Sequence, residues 1–175
     1  MIDWDDLLRR EGSAVWNTVY RVVGNEADAD ECFQETFLAA LEFSNRESVH
    51  NWPALLQRLA AGRAIDRLRK RIRQRKSKRL AEIVQHQAPR SDPAQPVEMA
   101  ELDNALDCAL AQLPRRSAQI FCLHEFDGWS HEQIAGQFGM SANAVRAILH
   151  RARHKLQRLL KDKFQISESP AAQQP

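Results

Sequence analysis

The stretch that most constrains this chain is Asp127 to Arg153, which spells two short helices around a tight turn. Ser130 followed by Gln133 is a capping box, in which each side chain accepts from the other residue's backbone N–H at a helix start. Gly139 to Ser141 supplies a turn and a fresh N-cap, and a basic amphipathic helix follows. The pattern is a helix-turn-helix. At about 100° per residue, Val145, Leu149, Ala152, Leu156 and Leu159 fall on one stripe, while Asn143, Ala147, His150, His154 and Gln157 point the opposite way. Arg146, Arg151 and Arg153 flank the free face, as a helix lying in a major groove needs in order to meet phosphates on both sides. A solvated basic helix over an all-helical core has the same periodicity, so context must separate the two readings.

No apolar run elsewhere approaches the ~18 residues of a membrane span, and Met1 to Asp6 is acidic where a signal peptide is basic. A cytoplasmic protein without a membrane span is expected. The 175 residues suffice for one ordinary domain or two small ones. Cys32, Cys108 and Cys122 sit in apolar-periodic stretches with no C-x-x-C pair, so buried thiols are expected rather than a disulfide framework. The six histidines are scattered and have no zinc spacing, so neither a metal nor another cofactor is expected. The net charge of +2 conceals a strong asymmetry: residues 1 to 47 carry eleven acids against four bases, whereas Arg58 to Arg79 carries eleven bases against Asp66 alone.

The remaining chain reads as helices. Trp4, Leu8, Val15, Val19 and Val22 recur at helical spacing up to a Gly24 C-cap, with Gly12 a point of bending or breakage. The next helix starts at Glu26, with Ala29, Phe33, Phe37, Ala40 and Leu41 as its packed stripe and Asp30, Glu31, Gln34 and Glu35 on its other face. That outer face is either simply solvated or a docking surface for a basic partner. Phe43 to Trp52 reads as a loop, and Asn51 or Trp52 caps a helix with Pro53 in its first turn. Leu55, Leu56, Leu59, Ile65, Leu68 and Ile72 mark the buried side of that helix, whose arginine-rich continuation to Arg79 has little to bury and leaves bases for phosphate. Residues 86 to 98, with three prolines, read as an extended linker, so the two halves need not touch in a fixed way. Leu102, Leu106, Ala109, Leu110 and Leu113 form a further helix, and Ile120, Phe121, Leu123 and Phe126 another that Gly128 closes; the end, from Ser167, reads as a disordered tail.

This order resembles the extracytoplasmic-function (ECF) group of the sigma-70 family, the small two-domain specificity subunits of bacterial RNA polymerase. Asp28-Ala-Asp-Glu-Cys-Phe-Gln-Glu-Thr-Phe37 is similar to the family's region 2.2 helix, Ala64-Ile-Asp-Arg-Leu-Arg69 to region 2.4, and Leu113 to Arg153 to region 4.2. The resemblance implies an all-α fold of two small helical domains joined by a flexible linker: region 2 over 1–80, linker 81–99, region 4 over 100–163 and tail 164–175. It assigns contact with the clamp helices of the polymerase beta-prime subunit to Asp30, Glu31, Gln34, Glu35, Phe37 and Leu38, with Phe33 in the core. Binding and opening of the minus-10 element fall to the loop from Ser44 to Asn51, to Trp52 as a base platform or alternatively a helix-start staple, and to Arg58, Arg63, Arg67 and Arg69. Minus-35 recognition falls to Ser141, Asn143, Arg146, Ala147 and His150, with Arg151 and Arg153 toward phosphate or the polymerase beta flap.

The chain departs from the family's pattern in two places. Ala144, Ala147 and Ile148 stand where Thr, Ser and Arg are common, and Ala61-Gly62-Arg63 stands where Arg-Asn-Leu or similar is usual, placing a glycine inside a helix. Such factors are often held by an anti-sigma factor, which the linker would permit. A non-catalytic sigma factor that binds core polymerase and promoter DNA is therefore expected. The alternative is a stand-alone helix-turn-helix regulator that needs no polymerase, which leaves the acidic and basic helices without a role. An enzyme lacks a nucleophile or metal constellation here, since Tyr20 is the sole tyrosine and sits in an apolar-periodic helix.

Overall fold

The computed structural model describes residues 2–84 and 97–164; of the sequence readings, most of the linker and the tail from Ser167 lie outside them. The described residues form seven helices and no strand: α1 (Trp4–Val23), α2 (Glu26–Ser44), α3 (Trp52–Val84), α4 (Val97–Ala111), α5 (Arg115–Glu125), α6 (His131–Phe138) and α7 (Ala142–Phe164). The chain punctuates them with polar caps and left-handed glycines. The Asp3 carboxylate accepts the Asp6 N–H at 3.0 Å to start α1, and Gly24, at φ 70°, closes it. The Asn25 side chain accepts the Asp28 N–H at 2.9 Å for α2, and Asn51 accepts the Ala54 N–H at 3.1 Å for α3.

α1, α2 and α3 form a first bundle around Val15, Val19, Ala29, Cys32, Leu56, Ile65 and Leu68, all essentially inaccessible to solvent. α5, α6 and α7 close a second around Ile120, Leu123, Ile134, Val145 and Leu149. The larger core does not stop at the boundary between them. Leu110, Leu113, Ala118, Cys122 and Leu156 belong to the same buried cluster as Leu56 and Ile65, and Ala54 and Ala61 belong to the second. α3 is thus a wall shared by both halves. In the structure the two halves meet at α3, which places Leu56, Ala60, Ala64, Ile65 and Leu68 in the larger cluster and Ala54 and Ala61 in the second.

Three finer expectations also change. α1 runs unbroken through Gly12, where a Cβ would meet the Phe33 ring at an ordinary contact distance of 3.7 Å. The packed stripe of α2 is Ala29, Cys32, Thr36 and Ala40, with Phe33 and Phe37 half-buried at its edge and Leu41 largely exposed. Thr36 tolerates burial because its hydroxyl donates to the Cys32 carbonyl at 2.7 Å. The span first read as linker carries helix at both ends, since α3 reaches Val84 and α4 begins at Val97.

Candidate nucleic-acid interface

The helix-turn-helix is built as its caps dictate. Gln133 N–H donates to Ser130 Oγ at 3.1 Å and Ser130 N–H to Gln133 Oε1 at 2.8 Å, while Gly139 turns the chain at φ 61°. Ser141 Oγ then accepts the Ala144 N–H at 3.2 Å and starts α7. Val145, Leu149, Ala152 and Leu156 point inward, so Ser141, Asn143, Arg146, Ala147, His150, Arg151 and Arg153 stand exposed together. Arg146 reaches Asn143 Oδ1 at 3.3 Å, which couples the two side chains across one turn. Arg153 differs from its neighbours: Glu125 at the end of α5 accepts from its Nε at 2.9 Å and holds it back against the bundle. Ile148 is partly buried against the second core, which accounts for an apolar residue at that position.

The basic set on α3 is arranged otherwise. Arg67 bridges Asp28 at 2.6 Å and Glu31 at 2.7 Å. Arg58 donates to the Gln137 carbonyl at 3.3 Å, and Arg69 donates to the Leu113 carbonyl. Arg63 is half-buried. Trp52 packs edge-on against Trp4 with ring centroids 5.4 Å apart, and Asn51 is occupied as the helix cap. The residues assigned to the minus-10 element therefore lie on α3 or at its cap, and Asn51, Trp52, Arg58, Arg67 and Arg69 engage different internal partners. The cations beyond them are unencumbered in another sense: Arg73, Lys76, Lys78 and Arg79 all stand exposed on the projecting end of α3.

Three residues central to this region escaped sequence reasoning. Arg71, only 18% exposed, joins the Val23 carbonyl at 2.7 Å, Asp28 at 3.0 Å and Asp107 at 2.7 Å. Arg115 forks onto Asp66 at 2.9 and 2.8 Å, and Asp127 accepts from the Thr18 hydroxyl at 3.1 Å. Partners dozens of positions apart leave no local periodic signal. Burial pushes the Asp28 carboxyl up, but hydrogen bonds from Asn25, Arg67 and Arg71 outweigh it and hold the group below the usual carboxylate range. Burial wins at Asp107 and Asp127, whose carboxyls lie above that range despite Arg71 and Arg21 respectively. Burial also pushes the Cys32 thiol up to about 12 and raises that of Cys122, so neither is a poised nucleophile.

On α2 the outer face presents exposed Asp30, Glu31, Gln34 and Glu35 beside Leu38, which is 61% exposed. Phe37 is half-buried against Phe33, with centroids 5.0 Å apart, and Leu41 and Tyr20 are largely exposed. Exposed apolar side chains thus stand beside a row of acids on this face. Among the described residues no group of three or more His, Cys, Asp or Glu side chains is placed to hold a metal ion, and no helix is long and apolar enough to cross a membrane.

Residues 7–74 match the family model described as Sigma-70 region 2, and residues 103–156 match Sigma-70, region 4. The chain belongs to the sigma-70 family. This sigma factor is 33% identical over 165 residues to the RNA polymerase sigma factor CarQ of Myxococcus xanthus, covering 90% of this chain and 88% of CarQ. It is 29% identical over 158 residues to the ECF RNA polymerase sigma factor SigE of Mycolicibacterium smegmatis, covering 89% of this chain but 61% of that longer protein. The fold is shared with the sigma factor RpoE of Bartonella quintana, solved in complex with the anti-sigma factor NepR: the TM-score is 0.51 at 22% identity, covering 91% of this chain and 97% of RpoE. These likenesses place this sigma factor in the ECF group.

Proposed function

We propose that this ECF sigma factor binds core RNA polymerase and directs it to promoters, using α2 to dock, α3 to take hold of the opened minus-10 strands and α7 to read the minus-35 duplex. The observation that carries the reading is the coexistence, in one chain, of an acid-rimmed leucine patch on α2, an arginine-laden α3 and an exposed reading face on α7. Region 2 then occupies residues 1–80 and region 4 residues 100–163, with 81–99 between them. Docking on the beta-prime clamp helices falls to Asp30, Glu31, Gln34, Glu35, Phe37 and Leu38.

On α7, Arg146 and Asn143 take base edges, Ala147 offers a methyl to thymine, and Ser141, His150 and Arg151 serve phosphate and neighbouring edges. Arg153, tied to Glu125, serves phosphate or the beta flap. On α3, Arg58, Arg63, Arg67 and Arg69 supply a cationic track for single strands, preceded by Asn51 and Trp52. Binding energy rather than catalysis performs the work, so the protein is not an enzyme, and it acts in the cytoplasm where the polymerase is. An anti-sigma factor able to cover both halves is the regulator that fits.

The test is transcription in a purified system. Core polymerase alone gives no specific run-off product, and core with this chain gives one from a cognate promoter. A chain that fails to bind core in a pull-down, yet binds duplex DNA tightly by itself, is instead a stand-alone helix-turn-helix regulator.

A further inference from the structure

A cleft of about 210 Å³ lies between the start of α3 and α6. That is the room of about seven waters at ~30 Å³ each. Four carboxamides line it, those of Asn51 and Gln57 from the α3 side and those of Gln133 and Gln137 from successive turns of α6. Pro53, Ala54 and the almost wholly buried Trp129 supply the apolar remainder.

The chain fixes which end of three of these amides can meet a guest. An amide oxygen accepts and its NH2 donates, whereas a backbone or indole N–H only donates and must therefore face the oxygen. Asn51 Oδ1 takes the Ala54 N–H at 3.1 Å, Gln57 Oε1 takes the Trp129 indole N–H at 2.6 Å, and Gln133 Oε1 takes the Ser130 N–H at 2.8 Å. Each oxygen is thereby committed. Among the described residues no group accepts from the three NH2 ends, which are left to donate elsewhere. The positive end of the long α3 helix adds potential of the same sign.

Such a lining selects its guest. Paired NH2 donors call for an acceptor-only group, and an ionised carboxylate offers about four lone-pair sites. The surfaces of Pro53 and Trp129 call for a short apolar body beside it. No lysine or arginine lines the cleft, so a doubly charged phosphate would enter without a counter-charge. The volume also lies below the roughly 300–1,000 Å³ of sites for drug-sized ligands. We propose that this cleft is a binding site for a small organic carboxylate, its oxygens held by the NH2 groups of Asn51, Gln57, Gln133 and Gln137 and its apolar body set against Trp129 and Pro53. A guest of that size is distinct from promoter DNA, so its binding is measurable without polymerase or DNA.

The full-length chain is titrated calorimetrically with sodium benzoate, benzamide and inorganic phosphate in a buffer free of carboxylates. Benzoate is expected to bind saturably and at least roughly tenfold more tightly than phosphate or than benzamide, whose own NH2 sets donor against donor. It is also expected to shift the Trp129 indole resonance in the nitrogen–proton NMR spectrum, a signal identified by its loss in Trp129→Phe. Gln137→Leu exchanges one amide for an apolar side chain of similar helix propensity. Asn51→Asp keeps an oxygen for the Ala54 N–H, and so keeps the cap, but places a like charge before the guest. Both variants are expected to retain their helix content by circular dichroism and to bind benzoate roughly tenfold or more weakly. If Gln137→Leu loses helix content, Asn51→Asp decides. No saturable benzoate binding, equal binding of phosphate or benzamide, an unmoved Trp129 resonance, or unchanged affinity in the variants overturns the proposal.

Discussion

The two basic helices of this molecule hold their cations in opposite ways. On α7, Arg146 and Arg151 stand in solvent on a helix anchored only from behind, and Arg153 alone is held by a carboxylate. On α3, Arg58, Arg67, Arg69 and Arg71 are all bound to groups of the chain itself. The difference follows from what each helix packs against. α7 buries a single stripe and leaves the rest of its circumference free, whereas α3 is walled on two sides and its long cationic side chains must find partners beside the core. The outer face of α7 stands free, whereas the arginines of α3 are engaged with groups of the chain itself.

The comparison breaks most decisively at the shared core. Leu149→Ala removes a fully buried side chain from the second cluster and is expected to cost about 2–5 kcal/mol. Because α3 belongs to both clusters, thermal unfolding should remain one transition that moves down as a whole. Two separated transitions, with only the later one shifted, would show that the halves melt independently and that α3 is no common wall.

A sharper contrast lies between Arg71 and Arg146. Arg71→Ala leaves Asp107 without its partner and should lower stability by about 1–3 kcal/mol. Arg146→Ala should leave stability within about 0.5 kcal/mol while weakening minus-35-dependent initiation by about 1–3 kcal/mol with core binding intact. Denaturant titration together with run-off transcription separates the two. Equal losses from Arg146→Ala in every assay would mean that its side chain serves the fold.

The smallest effect concerns acid. The Asp28 carboxyl is held below its ordinary range in the folded chain, so its contribution is complete at neutral pH and is lost as pH falls through that depressed value. Asp107 and Asp127, raised by burial, behave oppositely: they favour the folded chain when protonated, and that contribution disappears as pH rises through their raised values. Asp28→Asn should therefore flatten the acid limb of stability measured by denaturation below about pH 4, where the unfolded-state carboxyl begins to take up its proton. An acid limb unchanged by the substitution would remove Asp28 from the account.

What the sequence disclosed and what it withheld divide along the same line. Caps and single-faced helices were legible, because Ser130 with Gln133, Gly24, Gly139 and the stripe from Val145 to Leu156 are local patterns with local causes. The exposure of the seven α7 residues followed from that stripe. α3 was read on its leucine side alone, since Ala60, Ala61, Gly62 and Ala64 carry no hydrophobic signal of their own. A run of small residues in a helix was the available clue that something approaches closely. The α2 stripe was misplaced toward Phe37 and Leu41 because large apolar side chains outweigh Cys32 and Thr36 in a periodicity argument, although the smaller pair is the buried one. Arg71, Arg115 and Asp127 were out of reach, as their partners lie 36, 49 and 109 positions away.

Trp129 carries one consequence further. Of the four tryptophans, Trp4, Trp16 and Trp52 lie in the first half and Trp129 alone in the second, 8% exposed, with its indole N–H on Gln57 of α3. With the other three replaced by phenylalanine, the emission colour of this one ring would register whether its surroundings are protein or water. The molecule thus contains an optical gauge of the contact between Trp129 and α3, readable without a dye, in the free chain and in the presence of a partner.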